Sequence, residues 1–213
     1  PRNRKRFFNE VPYRLLSLFL DSQRFGVPLN EPAQQAIKNH VHLIDDAFRR
    51  SNQASRLFLS ILSAPQGVAR TLHIMHELGV LGRFVPEFRS IDCLFQYNRY
   101  HIYTADEHTL VAIEALETVA AADNAGSDGP LKKVMNELKR RDLLYLAILM
   151  HDVGKSARND DHSSTGAQMT QDFLERMGLS SRETRTVVFL VQNHLSMSHI
   201  SQRRDLSDDN LIT

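Results

Sequence analysis

Apolar residues along this chain recur at intervals of three and four, which is the spacing of one face of an α-helix. In the first part of the chain this pattern predicts helices over residues 11–23, 31–48, 57–62 and 68–78. No stretch shows the convincing apolar–polar alternation that indicates a half-buried β-strand. The pattern therefore predicts an all-α fold.

The second half of the chain carries two capping-box patterns, in which Thr104 precedes Glu107 and Ser180 precedes Glu183 by three residues. Gly178 is the expected C-cap of the helix before the second box. Together with the apolar spacing, these signals predict helices over residues 105–122, 132–150, 166–177 and 181–192. The second of these helices becomes apolar all round toward its end, which should therefore lie centrally in the core.

The predicted helices divide into a smaller N-terminal segment, residues 1–88, and a larger C-terminal core, residues 89–213. A chain of 213 residues can bury a sizeable core as one large domain or two small ones. It begins with Pro1 and ends soon after a helix-start pattern at residues 207–210. We therefore expect it to be a piece of a longer protein.

The amino-acid composition limits which partners and which cellular compartment are expected for this protein. The formal net charge of +1 gives no overall attraction to nucleic acid or to a membrane, and we read the basic run at residues 2–6 as the flank of a linker. The one cysteine, Cys93, excludes an internal disulfide and is consistent with a reducing cytoplasm. No segment approaches the ~20 apolar residues of a membrane-spanning helix, and no signal peptide is recognisable at the start.

Candidate chemistry is concentrated where the apolar run 143–150 ends in His151-Asp152-Val153-Gly154-Lys155. An imidazole and a carboxylate at the edge of a core are costly unless something binds them, and a divalent metal is the simplest occupant. Further ligands lie at or near other predicted helix ends, and the full set is His108, His151, Asp152, His162, His194 and Asp205. Mixed nitrogen and oxygen ligands suit Mn²⁺, Fe²⁺, Zn²⁺ or Mg²⁺.

The other histidines are interpreted as ordinary hydrogen-bonded residues, namely His40, His42, His73, His76 and His199. His73 and His76 are three residues apart on one predicted helix and could bind metal, but no carboxylate cluster accompanies them in the sequence. His101 is expected to support the site rather than to bind metal. Asp106 either caps its helix or orients a ligand.

The order of His108, His151-Asp152 and Asp205 resembles the signature of the HD superfamily of metal-dependent phosphohydrolases. His162 and His194 resemble the additional ligands of its binuclear branch. Longer stretches resemble the central HD domain of the bacterial bifunctional uridylyltransferase/uridylyl-removing enzymes that act on nitrogen regulatory protein PII. These stretches are residues 42–46, 79–88, 101–110, 161–163, 191–195 and 202–208.

The resemblance implies an HD-domain helical bundle, over residues 89–213, with the N-terminal segment packed on it. It also implies a hydrolase that removes UMP from a uridylylated tyrosine of PII in nitrogen-assimilation control. Members of this family carry a nucleotidyltransferase domain and glutamine-sensing domains that are absent from this sequence. We therefore expect neither uridylyl-adding activity nor the glutamine switch here.

The expected mechanism uses two divalent ions, Mn²⁺ or Mg²⁺ before Fe²⁺ or Zn²⁺, that clamp the attacking and leaving oxygens. Asp152 is the candidate bridging ligand because a carboxylate has two oxygens to share. Lys155 would place an ammonium near the phosphoryl oxygens as the transition state gains charge. Arg203 and Arg204, beside Asp205, could bind phosphate or an acidic face of PII.

Two alternatives stay open at the level of sequence. The same metal site could act on free or cyclic nucleotides instead of a uridylylated protein. The domain could also be a metal-stabilised interaction module without catalysis, although open, oxygen-rich coordination is not needed for a purely structural core.

Overall fold

A computed structural model describes residues 4–95, 103–121, 130–157 and 162–196 of the chain. Within these ranges every regular element is helical, which confirms the predicted all-α class. The α-helices are α1 (Arg4–Glu10), α2 (Arg14–Phe25), α3 (Glu31–His40), α4 (Asp46–Arg49), α5 (Asn52–Leu62), α6 (Val68–Glu77), α7 (Val80–Phe84), α8 (Pro86–Arg89), α9 (Ala105–Ala121), α10 (Pro130–Glu137), α11 (Arg141–Met150), α12 (His162–Arg176) and α13 (Ser181–Gln192). Short 3₁₀ helices follow α3 (Val41–Leu43) and α11 (Val153–Ala157).

The apolar faces of these helices meet in one continuous core. Phe19 of α2, Phe58 of α5, Leu146 of α11 and Phe173 of α12 are all essentially inaccessible to solvent within it. Helix α6 packs on α9, while α11 lies against α5, α9 and α13. The boundary near residue 88 stays a prediction. No helix in the described parts of the chain is long and apolar enough to cross a membrane.

A carboxylate of the C-terminal half caps a helix of the N-terminal half. The Glu117 side chain on α9 accepts hydrogen bonds from the backbone N–H groups of Val68 and Ala69, at 2.8 and 2.9 Å. These donors belong to the first turn of α6, whose N-cap residue, Gly67, has no side chain to satisfy them. The contact therefore stabilises the start of α6 and fixes its position against α9.

The predicted capping residues at the end of α12 and at the start of α13 are confirmed. Ser180 and Glu183 form a complete capping box at the start of α13. Gly178 has φ +75° after α12, a left-handed conformation that glycine adopts without strain. In the same turn, the Leu179 N–H donates to the carbonyl oxygen of Leu174 and closes the end of the helix.

Two helices that were predicted to be continuous are broken, so those predictions were wrong. The stretch 31–48 divides because Asp45 accepts a 2.8 Å hydrogen bond from the Phe48 N–H and starts a new helix, α4. The stretch 132–150 divides between α10 and α11. There the Arg140 guanidinium binds Asp142 and reaches Glu183 on α13, contacts that hold the chain outside a helical path.

Short helices also occur where none were predicted. The basic run that was interpreted as a linker flank continues into α1, which buries Phe8, and Phe7 lies under the guanidinium of Arg14 at 4.3 Å. Helices α7 and α8 follow α6 closely and bury Phe84 and Phe88. These helices are too short for periodicity to detect, and tertiary packing stabilises them.

Candidate metal centre

Three helix ends bring four predicted ligands together around one carboxylate. Asp152, which is 2% exposed, is the second residue after α11 and follows the C-cap, His151. Its Oδ2 lies 3.2 Å from Nε2 of His151 and 4.0 Å from Nε2 of His108 on α9. Its Oδ1 lies 3.8 Å from Nε2 of His194, just beyond α13. The ring of His151 stands between those of His108 and His194, with centroid distances of 5.5 and 5.3 Å.

The backbone after α11 is shaped by one glycine. A Cβ at Gly154 would lie 1.9 Å from the carbonyl oxygen of His162 and 2.6 Å from the nitrogen of Gly166. Only a residue without a side chain allows α12 to approach the turn this closely. Gly154 therefore brings the first residue of α12, His162, next to the turn that carries Asp152.

Backbone carbonyls orient two of the imidazoles. Nδ1 of His151 is 2.7 Å from the carbonyl oxygen of Ile148, and Nδ1 of His194 is 2.6 Å from that of Val191. A carbonyl only accepts, so each Nδ1 carries the proton in the neutral ring and each Nε2 presents a lone pair. The Nε2 of His194 is buried, and no described residue forms a hydrogen bond with it.

This arrangement fits a divalent cation. Two lone pairs facing the oxygens of a buried carboxylate are mutually repulsive unless a positive charge lies among them. Metal-bound histidines characteristically use one ring nitrogen for the ion and donate the other N–H to a carbonyl or carboxylate. His108, His151 and Asp152 each offer one ligand atom within 4.8 Å of the others.

The electrostatics keep the candidate ligands in their metal-binding forms. Burial by itself would raise the pKa of Asp152, but the hydrogen bonds and positive charges of His151, when its ring is protonated, and of Lys155 outweigh it and hold the pKa below its ordinary value. The Lys155 ammonium donates to Asp152 Oδ2 at 2.7 Å. Burial lowers the pKa of His194, which favours the neutral imidazole that a metal requires.

The other predicted site residues are placed less centrally or are not described. His162 is half-buried at the start of α12, close enough for its charge to act on His194. Asp205, Arg203 and Arg204 lie outside the described residues, as does His101. Their assignments as metal ligand, phosphate contacts and supporting residue stay predictions.

The four central side chains and Lys155 line a pocket of about 440 Å³. The rest of its lining is apolar, and we call it the apolar wall; it consists of Ala112, Leu144, Ala147, Ile148, Leu190 and Leu195. The pocket can therefore hold a charged group against the carboxylate and imidazoles and a flat apolar group beside it.

One expectation about the remaining histidines was wrong. His76 does have carboxylates beside it: its Nε2 lies 3.1 Å from Asp106 Oδ2 and 3.8 Å from Asp92 Oδ1. The sequence gives little sign of this cluster because its members are 14 to 30 residues apart and meet only when α6 packs on α9. Asp106, whose role was left open, contacts His76 through its side chain.

Comparison with known families agrees with this site. The model of the HD domain matches residues 106–212, about half of the chain. The chain therefore belongs to the HD domain family, within the superfamily of metal-dependent phosphohydrolases. The model of the uridylyltransferase GlnD third domain matches residues 2–84. Together the two matches correspond to the HD region of the bifunctional GlnD enzyme, as the resemblance in sequence predicted.

Proposed function

We propose that this chain removes UMP from the uridylylated tyrosine of nitrogen regulatory protein PII by metal-dependent hydrolysis of a phosphodiester, in the cytoplasmic control of nitrogen assimilation. The observation that carries the proposal is the convergence of His108, His151 and His194 on the buried carboxylate of Asp152. The match to the GlnD third domain supports the choice of substrate.

Two divalent ions, Mn²⁺ or Mg²⁺, are the proposed cofactors. One ion would be held by His108, His151 and Asp205. The other ion would be held by His162 and His194. Asp152 would be a ligand of both ions. A bound divalent ion lowers the pKa of a coordinated water toward neutrality and offsets the negative charge of the phosphodiester.

Lys155 would act beside the ligands. Its side chain is only 12% exposed, and its ammonium lies against Asp152 in the lining of the pocket. From this position it would attract the phosphoryl oxygens and stabilise the charge that they gain in the transition state. Arg203 and Arg204 are proposed to contact the phosphate or an acidic face of PII.

The apolar wall suits a tyrosyl ester. The aromatic ring of a uridylylated tyrosine is flat and apolar on its faces, so its burial against Leu144, Ile148 and Leu190 would be favourable. In a free nucleotide the sugar separates the aromatic base from the phosphate, whereas in the tyrosyl ester the ring is bonded to a phosphate oxygen. The apolar wall beside the candidate ligands therefore favours a substrate that carries an aromatic group next to the phosphate.

Incubation of the chain and Mn²⁺ with uridylylated PII, in parallel with free and cyclic nucleotides, tests this function. We expect release of UMP from PII, measured by chromatography. The substitutions His151→Ala and Asp152→Asn should each lower the rate at least ~100-fold while the circular dichroism stays helical. His42→Ala, at an exposed histidine that does not line the pocket, is the matched control and should keep full activity.

Each alternative has its own outcome. Hydrolysis of nucleotides without release of UMP from PII would contradict the proposed substrate and favour a nucleotide phosphohydrolase. Unfolding of both site variants, combined with no turnover by the wild type, would instead favour a metal-stabilised interaction module.

A further inference from the structure

A second group of metal-ligand atoms lies at the junction of α6, the turn after α8 and the start of α9. His76, Asp92 and Asp106 each contribute one atom, and all three atoms lie within 4.8 Å of one another. The three residues come from separate elements, and the packing of α6 on α9 brings them together.

Asp106 supplies an independent sign of a ligand. Its side chain is only 5% exposed, and Oδ2 contacts Nε2 of His76. The second oxygen, Oδ1, is buried and forms no hydrogen bond of normal geometry with any described residue, although the Thr104 hydroxyl and the backbone N–H groups of Cys93 and Glu107 lie near the carboxylate. A buried carboxylate oxygen without a partner is costly, and a bound cation is one of the few groups that satisfies it.

The distances fit a small divalent ion. Nitrogen and oxygen ligands about 2.0–2.2 Å from a tetrahedral ion lie roughly 3.3–3.6 Å from one another. The distances from His76 Nε2 to Asp106 Oδ2 and Asp92 Oδ1 are 3.1 and 3.8 Å, on either side of this range. One imidazole and two carboxylates suit Zn²⁺ or Mn²⁺. Asp92 is 48% exposed, so an ion can enter from solvent and water can complete its coordination.

This group is separate from the candidate HD centre. Asp106 and His108 are two positions apart on α9, and successive residues of a helix are about 100° apart around its axis. Their side chains therefore leave the helix on different sides. His76, Asp92 and Asp106 do not line the pocket that contains His108.

We propose that His76, Asp92 and Asp106 bind a divalent cation, Zn²⁺ or Mn²⁺, at a site distinct from the HD centre. The ion links α6 to the first turn of α9, two residues before His108. It therefore helps to fix the position of the helix that carries a proposed ligand of the HD centre. The proposal concerns binding of the ion and does not depend on which substrate the HD centre hydrolyses.

Calorimetric titration of the whole chain with Zn²⁺ alone, and separately with Mn²⁺ alone, tests the site. The informative variant is Asp92→Asn, because Asp92 is partly exposed and its replacement leaves the core intact. The matched control is Asp21→Asn, which removes an exposed carboxylate from α2. We expect the wild type and the control to bind one more ion per chain than Asp92→Asn, or to bind that ion at least ~10-fold more tightly.

Nitrogen-15 spectra of histidine-labelled protein locate the ion. Zn²⁺ should shift the Nε2 resonance of His76 in the wild type and in Asp21→Asn, but not at the same concentration in Asp92→Asn. Equal ion binding by all three proteins, or an unshifted His76 resonance at saturating Zn²⁺, would overturn the proposal. His76 would then serve only as a hydrogen-bond partner of Asp106.

Discussion

At the scale of single residues, the same kind of hydrogen bond to a backbone carbonyl orients two histidines of the candidate centre. His151 and His194 each direct Nδ1 to the carbonyl oxygen three residues earlier, near the end of a helix where carbonyls lack intrahelical partners. Each ring is thereby fixed with Nε2 toward Asp152. The free carbonyls at the ends of the two helices therefore set the orientation of both imidazoles, and no specialised loop is needed to hold them.

Lys155 gives the sharpest prediction at this scale. Its ammonium occupies the same carboxylate oxygen, Asp152 Oδ2, that His151 approaches. The substitution Lys155→Met should lower the rate of hydrolysis about 10²–10³-fold because a positive charge near the phosphoryl group is lost. Affinity for Mn²⁺ should stay equal or rise, since the ammonium no longer competes for Asp152.

Steady-state kinetics and a Mn²⁺ titration of the same preparation measure both effects. Lys155→Arg, which keeps the charge, is the matched variant and should recover part of the rate. A fall in Mn²⁺ affinity parallel to the fall in rate would show that Lys155 instead maintains the ligands.

At the scale of the element, the start of α13 depends on Glu183. This carboxylate accepts a hydrogen bond from the Ser180 hydroxyl and another from the Ser180 N–H, and it also pairs with Arg140 before α11. The hydrogen bond from the Ser180 hydroxyl, followed by the one from Arg140, lowers the pKa of Glu183 to about 2. The Glu183 side chain therefore connects the N-terminal ends of α11 and α13. His194 lies just beyond the other end of α13.

The lowered pKa predicts a pH dependence of stability. A carboxylate with a lower pKa in the folded state stabilises the fold fully above its ordinary value, here 4.5, and this contribution is lost as the pH falls toward about 2. Urea unfolding at several pH values should show the loss in the wild type. In Glu183→Gln the slope between these two pH values should be smaller, while Glu175→Gln, an exposed control on α12, should behave as the wild type. Equal slopes in all three proteins would contradict the assignment.

At the scale of the whole molecule, the fold does not depend on the metal centre for its core. Phe58, Phe84 and Leu146 are buried in one apolar cluster that spans both halves of the chain. The proposed ligands lie at its edge, around an open pocket. Loss of an ion should therefore weaken the fold without abolishing it.

Removal of divalent ions tests this relation. EDTA should abolish hydrolysis and preserve the helical circular dichroism. An ion present at 100 times its dissociation constant contributes about 2.7 kcal/mol, so the melting temperature should fall by roughly 5–10 °C. Addition of Mn²⁺ should restore both properties. Collapse of helicity in EDTA would show instead that the metal has a structural role.

The sequence by itself determined the helical class, the capping box of α13 and the end of α12, because these depend on residues within one or two turns of each other. It also identified the neighbours of Asp152 through a resemblance in the order of ligands. It failed at the breaks after α3 and α10, where Asp45 and Arg140 make specific contacts that periodicity does not reveal.

Only the tertiary structure decided how distant residues meet. Glu117 caps α6 from 48 residues away, and His76 joins Asp92 and Asp106 only when α6 packs on α9. Apolar spacing specifies that a helix face is buried but does not specify its partner helix. The polar groups at the ends of those helices therefore acquire their neighbours, and any ion that binds them, from the packing of the core.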